Sequence, residues 1–482
     1  MNMKFSIKYA FILVLTSMVV ISCDDFLDIN TNPNAPTEAP INGLMTRTTL
    51  ETARNTNRVA GTTSFFVQQF ASPNASGSAD THDNVSYGTQ WSTIYGALGD
   101  LADMNKLAQT LNAPHYAGIS KIMTAYNLSL LVSMYGDAPY SDALFAQTLN
   151  PSYDSSSDIY DAMLRLLTEA ISDLQATTSG VIVGNDDYIF RGNLAAWTRT
   201  AHSLRARFLN HYSKLSSYNP GAVLQAVDNG FQSNAHDFQM AFFAGQGTGA
   251  ENPWYRLALN NSNLLLGGWL SSHFVDHLNG TTYGVVDPRI SFITQPATVG
   301  PNTGIYIGTP NGAGRGADPE RGARSVLAVG SWYASGPTAP LQIMTYAELK
   351  FIEAEAALAA GNSARAYAAY EAGIRAHMQK LGVPAADIDA YWSEPSVSGV
   401  ASFGIDKIMK EKYVATFLLP ETWNDARRYN YAYQGFSLPA NHNPALGGQH
   451  LRRVRYPDSE VQRNSSQMPV KTMLDRIFWD TP

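Results

Sequence analysis

The chain has 482 residues, of which 45% are hydrophobic and 15% charged. That is apolar material enough for a sizeable core and too little charge for a disordered chain or a charged coiled coil. A formal net charge of −7 offers no general attraction for phosphate backbones, and a single cysteine excludes a disulfide framework and Cys-rich zinc or iron–sulfur sites. Length alone suggests about three domains.

Lys4 and Lys8 precede a short apolar run, Ala10 to Ile21. A spanning helix needs about 20 apolar residues, so a basic start and this shorter run read as a secretory signal. Val20-Ile21-Ser22-Cys23 resembles a bacterial lipobox. The resemblance implies removal of residues 1–22 and a lipid on Cys23; the alternative is an ordinary signal peptide with a bystander cysteine. Residues 23–45, with Asp24, Asp25, Pro33, Pro36 and Pro40, read as an extended tether. No later run of about 18 apolar residues follows, so the anchor is expected to be lipid rather than a membrane-spanning helix.

From about Thr46 the pattern is mostly helical. Leu98, Leu101, Met104, Leu107, Ala108 and Leu111 form one buried stripe. Pro114 suits a first helical turn, and Ile119 to Met134 continue as a partner helix stopped by Gly136 and Pro139. Asp158 to Ala176 and Leu194 to Leu215 read as a second pair. The best-marked pair is Tyr346 to Ala360 and Ala364 to Leu381, joined by Gly361-Asn362, with Ser363 placed to cap the second helix. Ala366, Tyr370 and Gly373 have the spacing of the small and aromatic positions in a tetratricopeptide helix. The fold class is therefore mainly α: irregular tetratricopeptide-like hairpins in a single domain over residues 46–482, with long loop insertions. The insertions, at about residues 61–90, 244–262 and 296–342, are dense in Gly, Ser, Thr, Asn and Pro. Loops of this length usually carry function.

Catalytic signatures are missing: no HExxH, GxSxG, phosphate-binding loop or calcium loop, and no thiol in the folded body. Gly312-Ala313-Gly314-Arg315-Gly316 reads as a flexible loop. His273 and His277 lie four apart on a short helical pattern without a third ligand, so one is expected to pack and the other to face water. The acidic pairs Glu353 and Glu355, and Asp186 and Asp187, read as solvated faces. Two carboxylates could serve a glycosidase, but the sequence prefers no pair. Neither metal nor cofactor is expected. The insertions carry isolated aromatics instead. Tyr87, Trp254, Tyr255, Tyr306, Trp332 and Tyr333 are the candidate ligand contacts, with Tyr283 in a like context. A flat ring can stack on a sugar while Asn and Asp neighbours bond its hydroxyls. Each ring could equally anchor its loop on the core. Trp91, Trp197, Trp269 and Trp423 fall on helical patterns and are assigned to packing.

Several segments together resemble the SusD/RagB family of nutrient-binding outer-membrane lipoproteins, nearest its SusD-like branch with ill-defined ligands. They are the lipobox with Cys23-Asp-Asp-Phe-Leu-Asp-Ile-Asn, Trp91-Ser-Thr-Ile-Tyr95, Ala195-Ala-Trp197 leading to Arg207, and Asp287-Pro288-Arg289. The hairpin from Tyr346 to Gly382, Glu421-Thr-Trp423-Asn-Asp425-Ala-Arg427-Arg428, and Arg455-Tyr456-Pro457 with Glu460 complete the set. The resemblance implies a lipid-anchored protein on the outer face of the outer membrane. It would sit as a lid over a SusC-like TonB-dependent barrel and capture oligosaccharides, or sometimes peptides, without catalysis and without nucleic acid as a partner. A surface glycoside-processing enzyme and a purely structural lid remain as alternatives. The family's ligand residues lie in variable loops and do not carry over. Glu421, Trp423, Arg427 and Arg428 are expected to hold the fold together, through buried Arg–carboxylate pairing.

Overall fold

A computed structural model describes residues 39–144, 148–245, 249–264, 268–316 and 321–482. The signal, Cys23 and most of the tether lie outside the described residues. Helix α1 (Ile41–Phe66) starts directly after Pro40, so the end of the expected tether, residues 41–45, is already helical. α2 (Gly88–Thr110) packs back on it, and α3 (Pro114–Tyr135) packs on both. Every residue of α3 from His115 to Tyr135 is buried except Lys121, which makes α3 an interior helix rather than an amphipathic one. Lys121 reaches out to Asp173 at 2.8 Å on α4 (Ser156–Leu174). The two helices approach so closely that a Cβ on Gly118 would lie 3.0 Å from the Ala170 carbonyl.

Next come α5 (Leu194–Asn210), α6 (Pro220–Asp228), α7 (Pro253–Leu264), α8 (Ser272–Leu278) and the single turn α9 (Ile290–Ile293). The marked hairpin is α10 (Tyr346–Ala359) and α11 (Ser363–Leu381). Thr345 Oγ1 accepts from the Glu348 amide at the start of α10. At α11 the cap is Asn362 rather than Ser363, its Oδ1 accepting from the Arg365 amide. The Ala366, Tyr370 and Gly373 spacing does what it implied: Tyr370 is buried, and a Cβ on Gly373 would lie 3.0 Å from the Phe351 ring. α12 (Ala385–Ser393), α13 (Pro395–Ser398), α14 (Ile405–Ala415), α15 (Glu421–Arg428) and α16 (Asp458–Arg463) complete the helices. Strands are few among the described residues. β1 (Phe70–Ala71) pairs antiparallel with β3 (Trp269–Leu270), and β2 (Phe238–Ala241) with β4 (Pro340–Met344). Trp269 is buried, but on a strand.

Two of the expected insertions are partly helical. α1 runs through Gly61-Thr62-Thr63-Ser64 to Phe66, and α7 occupies the second half of residues 244–262. Threonine disguises α1 because its hydroxyls answer the helix from within. Thr48, Thr49 and Thr56 donate to the carbonyls of Leu44, Met45 and Thr52, and the Thr56 hydroxyl lies 2.8 Å from that of Tyr126. Such a helix buries polar side chains and shows no apolar stripe. Among the described residues, 296–339 hold no α-helix or paired strand, only single 3₁₀ turns and isolated bridges at Thr309, Val326 and Leu327.

The acidic pairs do not face solvent. Glu355 is clamped between Lys412 at 2.7 Å and Arg428 at 2.9 Å, and Arg428 also holds Asp425 at 2.5 Å. Glu353 pairs with Lys350 and Arg365, each at 2.7 Å. Asp187 is fully buried and accepts from Trp197 Nε1 and three backbone amides, while Asp186 accepts from the Tyr116 hydroxyl at 2.7 Å. These carboxylates fasten the hairpins together. Arg207 on α5 holds Glu348 at 2.6 Å, and Glu421 accepts from His211 at 2.6 Å. Arg427 departs from the expected pairing. It lies between the rings of Trp423 and Trp479, and its Nη1 donates to the carbonyls of Ser133 and Arg452.

His273 and His277 are both buried, against Tyr413, Phe436 and Tyr283, so neither faces water. The Gly312–Gly316 segment is packed rather than loose. Gly312 donates to Asp80, and a Cβ there would lie 1.7 Å from the Ala440 carbonyl; one on Gly314 would lie 2.7 Å from the Ala75 amide. Both glycines have positive φ, 72° and 69°, which together with the close approach leaves no room for another residue.

Candidate ligand-binding site

A cavity of about 550 Å³ opens between the C-terminal half of α1 and α7. Its size lies within the usual span of ligand pockets, about 300–1,000 Å³. Each wall has a local cause. Asn252 Oδ1 accepts from the amides of Trp254 and Tyr255, at 2.7 and 3.0 Å, and Pro253 takes the first helical position, so α7 starts sharply. That start sets Trp254 against Phe70, with ring centroids 6.1 Å apart, and Phe65 meets the other side of Phe70 at 6.0 Å. Both pairs stand edge to face, the favoured geometry for aromatic rings. Phe242 and Leu257 extend this apolar floor.

The rim is polar and bears three arginines. Arg54 and Arg58 stand on α1 and Arg256 on α7, with Asn57, Asn260 and Glu251 between them. Glu51 lies one helical turn before Arg54 and takes hydrogen bonds from Arg54 at 2.6 Å and Arg58 at 3.0 Å. Burial alone would raise the Glu51 pKa; the two guanidiniums outweigh it and hold the carboxyl below its ordinary value. Arg54 also donates to the Gly249 carbonyl, tying the loop before α7 to α1. Arg256 pairs with Glu251 at 3.3 Å. The side chains of Asn57 and Asn260 make no hydrogen bond among the described residues, and neither do Nε and Nη2 of Arg58 and Arg256. The cavity therefore has an aromatic floor and, among the described residues, a rim of available donors and acceptors.

The six candidate aromatics do not gather on one face. Trp254 is part of this cavity, as its floor, and is 3% exposed; Tyr255 follows it on α7 and is half-buried. Tyr333 is a core ring, stacked edge-on against Phe417 at 5.0 Å with its hydroxyl 3.2 Å from His377 Nε2. Trp332 lies under the Lys380 ammonium at 5.2 Å. Tyr87 packs on Phe66, and Tyr306 is half-buried, its carbonyl accepting from Asn279. Tyr283 lies under the Lys410 ammonium at 4.5 Å. Reading aromatics in loops missed the arginines. Glu51, Arg54 and Arg58 at i, i+3 and i+7 are a recognisable one-face pattern once α1 is known to be a helix.

Among the described residues no group of His, Cys, Asp or Glu is placed to hold a metal ion, and no helix is long and apolar enough to cross a membrane. Among the described residues Glu251 is the one carboxylate that lines the cavity.

Solved structures share this fold over nearly the whole chain. A chitin-binding protein superposes with a TM-score of 0.74 at 23% identity, covering 92% of this chain and all of its own. A chitin-binding SusD homologue from Flavobacterium johnsoniae gives 0.75 at 20%, covering 92% of this chain and 98% of that one. A SusD homologue from Parabacteroides distasonis gives 0.75 at 19%, with the same coverage. No curated protein matches the sequence. Residues 33–457 match the SusD-like family described as starch-binding and associating with the outer membrane, and the chain belongs to that family.

Proposed function

We propose that the protein is a cell-surface binding protein for an oligosaccharide, which it holds in the α1–α7 cavity and delivers unchanged to a SusC-like TonB-dependent barrel. The observation that carries the reading is the pairing of an aromatic floor, Trp254, Phe65 and Phe70, with the amides of Asn57 and Asn260, which have no hydrogen-bond partner among the described residues. Stacking and hydroxyl recognition are the two things a sugar ring asks of a site. Chitin binding by two proteins of the same fold, and membership of a family described as starch-binding, are consistent with it. Lipid on Cys23 would hold the protein at the outer membrane, facing outward.

Glycoside hydrolysis needs two carboxylates about 5–10 Å apart across the scissile bond. Glu251 alone lines the cavity, already paired with Arg256, and Glu51 behind it is held by two arginines. That arrangement favours binding over catalysis. The test is calorimetric titration of the purified protein against a panel of neutral and acidic oligosaccharides, with reducing ends assayed in parallel. Binding without release of reducing ends is expected, and Asn260→Ala should weaken it. Release of reducing ends, or silence across the panel, would overturn the reading. Delivery is tested separately: the lipidated protein should co-purify with a TonB-dependent barrel from its native membrane.

A further inference from the structure

We infer that the cavity selects an acidic oligosaccharide, one carrying carboxylate or sulfate groups, with Arg58 and Arg256 as the residues that take the anion. This rests on the oligosaccharide reading above and adds the charge of the ligand to it.

The chain as a whole is acidic, at −7, yet this cavity is not. Three guanidiniums line it against the single carboxylate of Glu251, and the nearest further anion, Glu51, sits behind the rim. The balance remains positive with both acids counted. In the core, Arg207 and Arg289 commit both Nε and Nη2 to buried carboxylates, Glu348 and Asp287 respectively. At the cavity the pattern differs. Arg58 commits Nη1 alone, to Glu51 and Asn55, and Arg256 commits Nη1 alone, to Glu251. Each keeps an Nε–Nη2 edge without a partner among the described residues. That edge is the one that grips a carboxylate or sulfate with two parallel hydrogen bonds. A neutral sugar would use Trp254 and the asparagines and leave these edges to water. An acidic one uses all of them.

An acidic peptide could also meet the arginines. The observations favour sugar because the floor is a run of rings rather than a set of separate side-chain pockets. The α1–α7 walls are helical, and a helical wall offers no main-chain pairing to a peptide.

The experiment compares oligogalacturonate, its carboxyl-reduced neutral counterpart, a sulfated galactan oligosaccharide, a chito-oligosaccharide and a poly-glutamate peptide, each titrated against the full folded domain at two salt concentrations. At least one of the two acidic sugars should bind about tenfold or more tightly than the neutral ones, and more weakly at high salt. Arg58→Gln and Arg256→Gln should each remove most of that preference, and more of the acidic-sugar affinity than of the neutral-sugar affinity, with the thermal midpoint close to the parent. Glu51→Gln removes a competing anion from Arg58 and should raise affinity for the acidic sugar, a gain that misfolding cannot mimic. Equal binding of acidic and neutral sugars sinks this inference and leaves the oligosaccharide reading standing. Preference for poly-glutamate over every sugar, or binding of none of the probes, sinks both.

Discussion

Of the carboxylates that are each clamped by two cations, two lie in opposite surroundings. Glu355 is held by Lys412 and Arg428 inside the helical frame; Glu51 is held by Arg54 and Arg58 at the rim of the cavity. Side-chain exposure is 5% for the first and 16% for the second. Around Glu355 the cations are also engaged by Asp425, so charge is balanced. Around Glu51 the cations keep donors to spare. The difference teaches how to tell frame from candidate site in a chain where ion pairs occur in both: the frame buries its cations between carboxylates, and the cavity rim leaves its arginines part-exposed with donors to spare.

The sharpest way to break the comparison is to neutralise the framed carboxylate. Burial alone would raise the Glu355 pKa, but Arg428 and Lys412 outweigh it and hold it at about 2. Removing one partner of a buried pair strands the remaining charge and costs about 3–5 kcal/mol. Glu355→Gln should therefore lower the unfolding free energy, read from urea denaturation, by an amount of that order. A change below about 1 kcal/mol would mean that Lys412 and Arg428 are served by Asp425 alone.

Acid should separate the two regions next. Burial keeps His82, His273 and His450 neutral in the folded chain, with His442 and Arg452 adding to the effect at His82 and His450 respectively. Their folded pKa values are about 3, 4 and 4, against an ordinary 6.5. Between those limits the unfolded chain binds more protons, so this stability is intact above pH 6.5 and falls as pH drops toward 4. At pH 5 each histidine should cost about 2 kcal/mol relative to pH 7.5. Glu51, whose pKa is lowered, stays ionised through that window, so the rim keeps its charges while the frame weakens. Urea midpoints against pH give the slope, and His82→Phe should flatten it. A slope unchanged in that variant would remove His82 from the account.

A smaller effect is expected where two helices touch. Gly373→Ala places a methyl 3.0 Å from the buried Phe351 ring, tighter than ordinary contact. Overpacking of this kind costs about 1–3 kcal/mol, against a gain of up to about 1 kcal/mol in helix propensity. Net destabilisation should show in the thermal midpoint. Stabilisation would mean that Phe351 yields easily.

The frame was legible because its signals are local. Pro114 opens a helix, Gly136 closes one, and Gly373 marks a close approach, each at a position that single residue types dictate. The cavity was not legible, for two physical reasons. α1 buries threonine and asparagine whose side chains bond within the helix or to its neighbours, as Asn55 does to Asn127, so the apolar period that announces a helix is absent. The arginine rim then joins two helices nearly 200 residues apart, which no local pattern connects. Loop aromatics were a partial guide, since Trp254 lies in the cavity while Tyr333 fills the core. Glycine-rich composition also misled at Gly312, where small residues signal tight packing rather than freedom.

The mildest change gives the cleanest contrast with Glu355. Glu51→Gln removes the carboxylate that Arg54 and Arg58 share, at 2.6 and 3.0 Å, yet both arginines remain more than a quarter exposed, at 28% and 29%. Water can therefore take over where the carboxylate was. Pairs in that condition contribute about 0–1 kcal/mol, so the urea midpoint should barely move. The two substitutions make the same exchange, one carboxylate oxygen for an amide NH2, in the same kind of clamp, and the ratio of their costs measures how far burial has turned one clamp into structure. Should Glu51→Gln cost as much as Glu355→Gln, the rim arginines would be structural ties, and their unpaired edges would be incidental to them.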